Sequence, residues 1–241
     1  MPDNKIITDR EEMLETVKKD GTGFALMNAS DTLKADREVV LEAVKNNGAA
    51  LQYADEALQA DRELVIEAVR ENGYALKSAS DSLKADREVV LEAVKNWGSA
   101  LQFASDTLKS DREVVLEAVK DNDIKGALQF ASDTLKADRE LVLEALKGSY
   151  AAFEFADDTL KADREVVLEA VKISGMALVW TSDTLKDDRE VVIEAVKMYV
   201  NAYKNSTSGE RSAAIRRLLK YASKELQNDP ELKKLAEGWS K

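Results

Sequence analysis

The triplet Asp-Arg-Glu begins at Asp9, Asp36, Asp61, Asp86, Asp111, Asp138, Asp163 and Asp188. Two carboxylates around a guanidinium are the parts of an acid pair with an arginine clamp, and with Asp31 they are candidate oxygen ligands for calcium. Repetition argues against both, because active sites are seldom built in eight copies. Calcium needs about six to eight oxygens, and no acidic loop of EF-hand spacing occurs. The reading that fits is structural. Asp36, Asp61, Asp86, Asp111, Asp138, Asp163 and Asp188 each cap a helix, while Arg37, Arg62, Arg87, Arg112, Arg139, Arg164 and Arg189 each reach an acid or carbonyl of an adjacent repeat.

Other reactive groups are scarce. Histidine and cysteine are absent, which removes the commonest general base, the commonest transition-metal ligand and all thiol chemistry. The recurring Ser-Asp-Thr-Leu-Lys (Ser30–Lys34, Ser105–Lys109, Ser132–Lys136) lacks the glycines of a phosphate loop and reads as a solvated helix end. A lysine row at Lys34, Lys84, Lys109, Lys136, Lys161 and Lys186 is interleaved with acids, and the net charge is −11. The basic run Arg211, Arg216, Arg217, Lys220 and Lys224 reads as a solvated helix face. Nucleic acid is therefore a poor partner. No apolar run approaches the ~18 residues of a membrane span, and no signal peptide opens the chain. A non-enzymatic, cytoplasmic monomer without cofactor or metal is expected.

The positioning elements follow from the spacing. The triplets are 27, 25, 25, 25, 27, 25 and 25 residues apart, and LKADREVVLEAVK stands identically at Leu33–Lys45, Leu83–Lys95 and Leu160–Lys172. A ninth, degenerate copy, LKYASKELQNDPELKKLAEG (Leu219–Gly238), has Pro230 at the arginine. In the unit around Asp36, the spacing of Val40, Ala43, Val44 and Asn47 predicts a helix widened by Val39 and Leu41. Gly48 suits a left-handed helix end, as do Gly73, Gly98, Gly126 and Gly175. The run ALQYADEAL (Ala50–Leu58) predicts the other helix. Its recurring aromatic (Tyr53, Phe103, Phe130, Phe155, Trp180, Tyr221; Ser78 is the exception) is expected to fill the core.

Two helices of about ten residues cannot bury their apolar faces alone, so the repeats must stack. The expected fold is all-α, an α-solenoid of about nine two-helix repeats, mostly of 25 residues, forming one domain over 1–241. An N-terminal cap unit covers about 1–30, where Gly21–Gly23 interrupts the pattern and Asn28 replaces the aromatic. A C-terminal insertion and cap cover about 198–241, with Lys204–Ala213 read as a loop after a helix lengthened through Met198–Tyr203. The second 27-residue step makes Asp121–Lys125 a bulged turn.

The copies differ at the inter-helix turn, where Tyr74, Trp97, Ile124, Tyr150, Ile173 and Met176 replace small or polar residues. A constant framework with one variable edge is how repeat scaffolds display a contact surface, so these six are the candidate partner-binding residues.

The segments LQYADEALQADRELVIEAVRENG (Leu51–Gly73) and LQFASDTLKSDREVVLEAVK (Leu101–Lys120) resemble the repeat of the family named domain of unknown function 4116. The resemblance covers nearly the whole chain and implies a tandem helical repeat. It brings no activity, cofactor or catalytic residue. Departures are the 27-residue steps, Tyr150 at the glycine position and the late insertion.

The function expected is a helical-repeat scaffold for a protein or peptide partner, bound by the variable turns or the concave face. The alternative is a structural or consensus-like engineered array without a ligand, which the verbatim copies would also fit. An enzyme using Asp or Glu would need a pocket that breaks the repeat, and Lys204–Ala213 is the one place for it.

Overall fold

The computed structural model describes residues 6–120, 126–203 and 205–237. Its longer helices are α1 (Arg10–Asp20), α2 (Arg37–Asn46), α3 (Arg62–Glu71), α4 (Arg87–Asn96), α5 (Arg112–Val119), α6 (Arg139–Gly148), α7 (Arg164–Ile173), α8 (Arg189–Ala202), α9 (Ser208–Leu219) and α10 (Pro230–Glu237). Among the described residues the one extended pairing is an isolated bridge between Ile7 and Ala29. The helices gather into two compact units, Met1–Asp123 with Phe130–Ser132, and Ile124–Gln129 with Asp133–Lys241. Within each unit, consecutive long helices pack side by side, giving an all-α repeat solenoid.

Each long helix forms for reasons visible in its residues. Asp36 lies in extended backbone and its side chain accepts from the first free N–H groups of α2, with Glu38 in the first turn and Lys45 in the last. Val39, Val40, Ala43 and Val44 are fully buried between neighbouring repeats. At the far end Asn46 Nδ2 donates to the Val17 carbonyl of α1 at 2.7 Å, and Asn96 Nδ2 to the Arg70 carbonyl of α3 at 2.9 Å. The orphan carbonyls of one helix are thus satisfied by the next repeat.

The expected helix Ala50–Leu58 is not one helix. Gly48–Tyr53 is a 3-10 turn, Ala54 and Asp55 are extended, and Glu56–Gln59 is a four-residue α-helix. The break recurs because the extended residue gives its N–H to the preceding repeat. Asp55 donates to Lys34 O (2.9 Å), Ser80 to Gln59 O (3.0 Å) and Ser105 to Lys84 O (2.9 Å), and in the second unit Asp157 donates to Lys136 O (2.9 Å). A continuous helix would keep those N–H groups to itself.

The glycines also act otherwise than expected. Gly48, Gly73 and Gly175 do not have positive φ; α2 ends instead at extended Asn47, whose side chain accepts from the Ala49 N–H at 3.0 Å. What the repeat requires is room. A Cβ on Gly48 would lie 2.0 Å from the Ala68 carbonyl oxygen of α3, and one on Gly73 would lie 2.5 Å from that of Ala93 in α4. Left-handed glycines are Gly21, Gly23 and Gly126, all in the two 27-residue steps, where surplus residues must be turned out of the regular path.

At the C-terminal side, α8 is lengthened to Ala202. Most of the stretch read as a loop is helical, because Thr207 and Glu210 form a reciprocal capping box that starts α9 at Ser208. Asp121–Lys125, with Ile124, lies outside the described residues.

Candidate functional site

The N-terminal ends of the long helices carry the charged row. Asp36 Oδ1 accepts from the Glu38 and Val39 N–H groups at 3.0 and 3.2 Å, and Oδ2 accepts from Arg10 Nε of the preceding repeat at 2.7 Å. Arg10 also donates to Glu38, completing a fork on the next repeat's first turn. The pattern continues in the first unit with Arg37 on Asp61 (2.7 Å) and Glu63 (3.2 Å). Arg62 then takes Asp86 (2.9 Å) and Glu88, and Arg87 takes Asp111 (3.0 Å) and Glu113. In the second unit Arg164 holds Asp188 (2.7 Å) and Glu190, while Arg189 holds Asp229 (3.3 Å) and Glu231. Pro230 stands at the arginine of that last copy, which accepts a fork and hands none on. Asp138 and Asp163 cap α6 and α7, and Arg112 opens α5.

One repeat departs from this. Arg139 pairs with Glu169 at 2.7 Å in place of the Asp163 and Glu165 pair. The same repeat has Tyr150 at the glycine position and fully buried Phe153 where its siblings have leucine.

These carboxylates are held for structure. Hydrogen bonds from the arginines keep Asp36, Asp61, Asp86 and Asp188 below the ordinary carboxylate range, outweighing the opposing effect of partial burial. A group already ionised and already hydrogen-bonded on both oxygens is a poor proton carrier and a poor free ligand. Among the described residues no cluster of three or more His, Cys, Asp or Glu side chains is arranged to hold a metal.

The opposite ends of the long helices lead into the 3-10 turns, and these turns are almost uncharged. Across the seven 3-10 elements, Lys77 and Glu154 are the only charged residues. Aromatic side chains gather here. In the first unit Tyr74 contacts Trp97 (ring centroids 5.6 Å apart) and Phe103 (5.4 Å, edge-to-face), and Trp97 lies 6.4 Å from Phe103. Lys77 Nζ sits 5.2 Å from the Tyr74 ring centre and donates to its hydroxyl at 2.8 Å. Phe24 and Tyr53 form a second pair, 6.3 Å apart. In the second unit Tyr150 meets Trp180 at 6.0 Å, and Tyr199 stacks on Tyr203 at 5.8 Å.

Of the six candidate residues, Tyr74 and Trp97 are brought together, with Tyr74 39% exposed. Tyr150, 49% exposed, is on the same type of edge in the second unit, where Ile173 ends α7 and Met176 follows, both half-buried. The repeating aromatics expected in the core are half-exposed or, at Tyr221, exposed, because Leu51, Leu76 and Leu101 fill the core position instead. Phe103, Tyr53 and Trp180 therefore belong to the surface, a role the reading as core filler missed. The signal was present: a position that accepts Ser78 and Asn28 is not one that must be filled by an apolar ring.

The second unit also has an open cavity of about 360 Å³ lined by Lys172, Glu194, Lys197, Met198, Asn201 and Ala202. Its one carboxylate, Glu194, is ion-paired to Lys197 at 2.7 Å. No helix among the described residues is long and apolar enough to cross a membrane.

Short-helix repeats locked by arginine forks, with aromatic 3-10 turns of few charges, make this a tandem α-helical repeat protein. Five stretches, residues 9–59, 61–109, 86–124, 111–161 and 163–208, match one family model. The chain belongs to that family, the domain of unknown function DUF4116. No curated protein and no solved structure is significantly similar to it.

Proposed function

We propose that this protein is a non-enzymatic scaffold that binds a protein or peptide partner through the 3-10 edge of its repeats. The observation that carries the reading is the contrast in what the two edges leave available. The forked carboxylates and arginines satisfy one another, whereas Tyr74 and Tyr150 stand exposed beside Trp97 and Trp180. Aromatic side chains that bury large area with few rotors are the usual anchors of interfaces. The cavity by α8 supports no acid–base pair, since its sole carboxylate is already paired to a lysine.

The test is affinity capture from the native host's lysate followed by mass spectrometry, with the intact chain and with Trp97→Ala, Tyr150→Ala and Met176→Ala combined. The reading expects a partner recovered by the first and lost with the second. A partner equally recovered by both would move the interface away from this edge. No partner at all would favour the ligand-free structural array.

A further inference from the structure

We propose that the Tyr74–Trp97–Phe103 cluster is a docking site for a proline-rich segment in the polyproline II conformation, carrying a carboxylate that meets Lys77. This rests on the scaffold reading and names the class of partner for its first unit. Three mutually tilted rings, at interplanar angles of 49°, 88° and 43°, make a corrugated apolar platform of the kind on which proline rings pack.

The polar groups at the platform select among extended ligands. Lys77 Nζ, the Tyr74 hydroxyl proton and the half-buried Trp97 indole N–H are all donors. Among the described residues the indole has no acceptor, and Lys77 bonds only to Tyr74. A ligand that offers carbonyl oxygens and few N–H groups fits this set, which describes a proline-rich chain: its backbone has acceptors, lacks donors at each proline, and is already ordered before binding. A β-strand or helix would bring no such match. The strand needs acceptors along a sheet edge, and there is none at this surface among the described residues.

Charge points the same way. The 3-10 turns of the first unit hold a single charged residue, Lys77, whereas Lys84 and Lys109 of the short helices are paired with Asp81 and Asp106. Lys77 has an aromatic ring and a phenol in place of a carboxylate. A strongly basic ligand would meet this cation unfavourably, and a ligand with one carboxylate would complete its coordination.

The experiment uses the full chain and fluorescein-labelled peptides read by anisotropy: decaproline, proline nonamers with a central Glu or a central Lys, and a Gly-Ser decamer. The expected order is Glu nonamer tightest, then decaproline, then Lys nonamer, with no Gly-Ser binding. Trp97→Ala and, independently, Tyr74→Ala should each weaken the Glu nonamer by about tenfold or more. Lys19→Ala, at an exposed lysine of α1, should leave it unchanged, and Lys77→Ala should erase the Glu-over-Lys preference. Circular dichroism melts check that the variants stay folded. Absence of proline-peptide binding up to about 1 mM, or binding indifferent to both Trp97→Ala and Tyr74→Ala, overturns the proposal. If lysate capture still recovers a Trp97-dependent partner without proline-rich segments, the peptide class falls and the scaffold reading stands; if it recovers nothing dependent on this edge, both fall.

Discussion

The two ends of the long helices show opposite uses of the same repetition. At the N-terminal end, nearly every repeat has the same aspartate, arginine and glutamate, and in six forks, though not at Arg139, they bind each other with the same atoms. In the 3-10 turns past the C-terminal end the residues change from copy to copy, only Lys77 and Glu154 are charged, and rings lie partly in solvent. The difference teaches where to look for function in a repeat protein. The most recurrent charged motif is the most internally satisfied, so it has the least left to offer a partner. The variable end is constrained only where repeats touch, and there it is constrained severely, by glycine.

That contact is the strongest test of the comparison. Gly48→Ala drives a Cβ to 2.0 Å from a backbone oxygen that cannot swing away, so it should cost about 3 kcal/mol or more in urea denaturation. Tyr150 already occupies the equivalent place in its repeat, so Tyr150→Ala should change stability by under about 1 kcal/mol. Equal effects at the two positions would show that the glycine contact does not set repeat spacing. Next comes the cap. Asp86→Ala removes both the helix cap and the acceptor of Arg62, and should cost about 1–2 kcal/mol. Arg62→Ala, which removes an exposed partner alone, should lower Tm by only about 2 °C. A larger loss from the arginine than from the aspartate would make the fork, and not the cap, the main stabiliser.

Acid should produce the smallest effect per site, because a protonated aspartate still fills its place. Asp36, Asp61, Asp86 and Asp188 titrate below their unfolded value of about 3.9. Their contribution is therefore complete above that value and is lost as pH falls through the lower, folded values. The urea midpoint should stay level from neutral pH to about 5 and decline below about 4. A decline beginning near pH 6 would point to groups other than these.

Much of this architecture is legible in the residues because it is local or periodic. Asp36 before Glu38, and the apolar stripe through Val40 and Val44, specify a capped helix whatever lies beside it. The 25-residue step then requires stacking. What is not legible depends on the neighbour. Whether Gly48 supplies a left-handed turn or merely an absent Cβ is decided by the distance to Ala68, which no local pattern contains. The split of Ala50–Leu58 is decided by a carbonyl on the preceding repeat. The candidate edge was half legible for the same reason. Variation marked Tyr74 and Trp97, but only the burial of Leu101, with Phe103 left half-exposed, shows that the third ring is at the surface.

Arg189 finds its aspartate 40 residues away, where the other forks span 24 or, at Arg10, 26, and α9 lies within the difference. The fork therefore acts as a plug and socket that recognises a helix end by its shape, with no regard for the length of cable between. A new segment can enter a connection of such a chain without unmaking the stack, provided the next Asp-x-Glu presents itself to the waiting guanidinium. Growth by insertion, and not only by duplication, is open to this architecture.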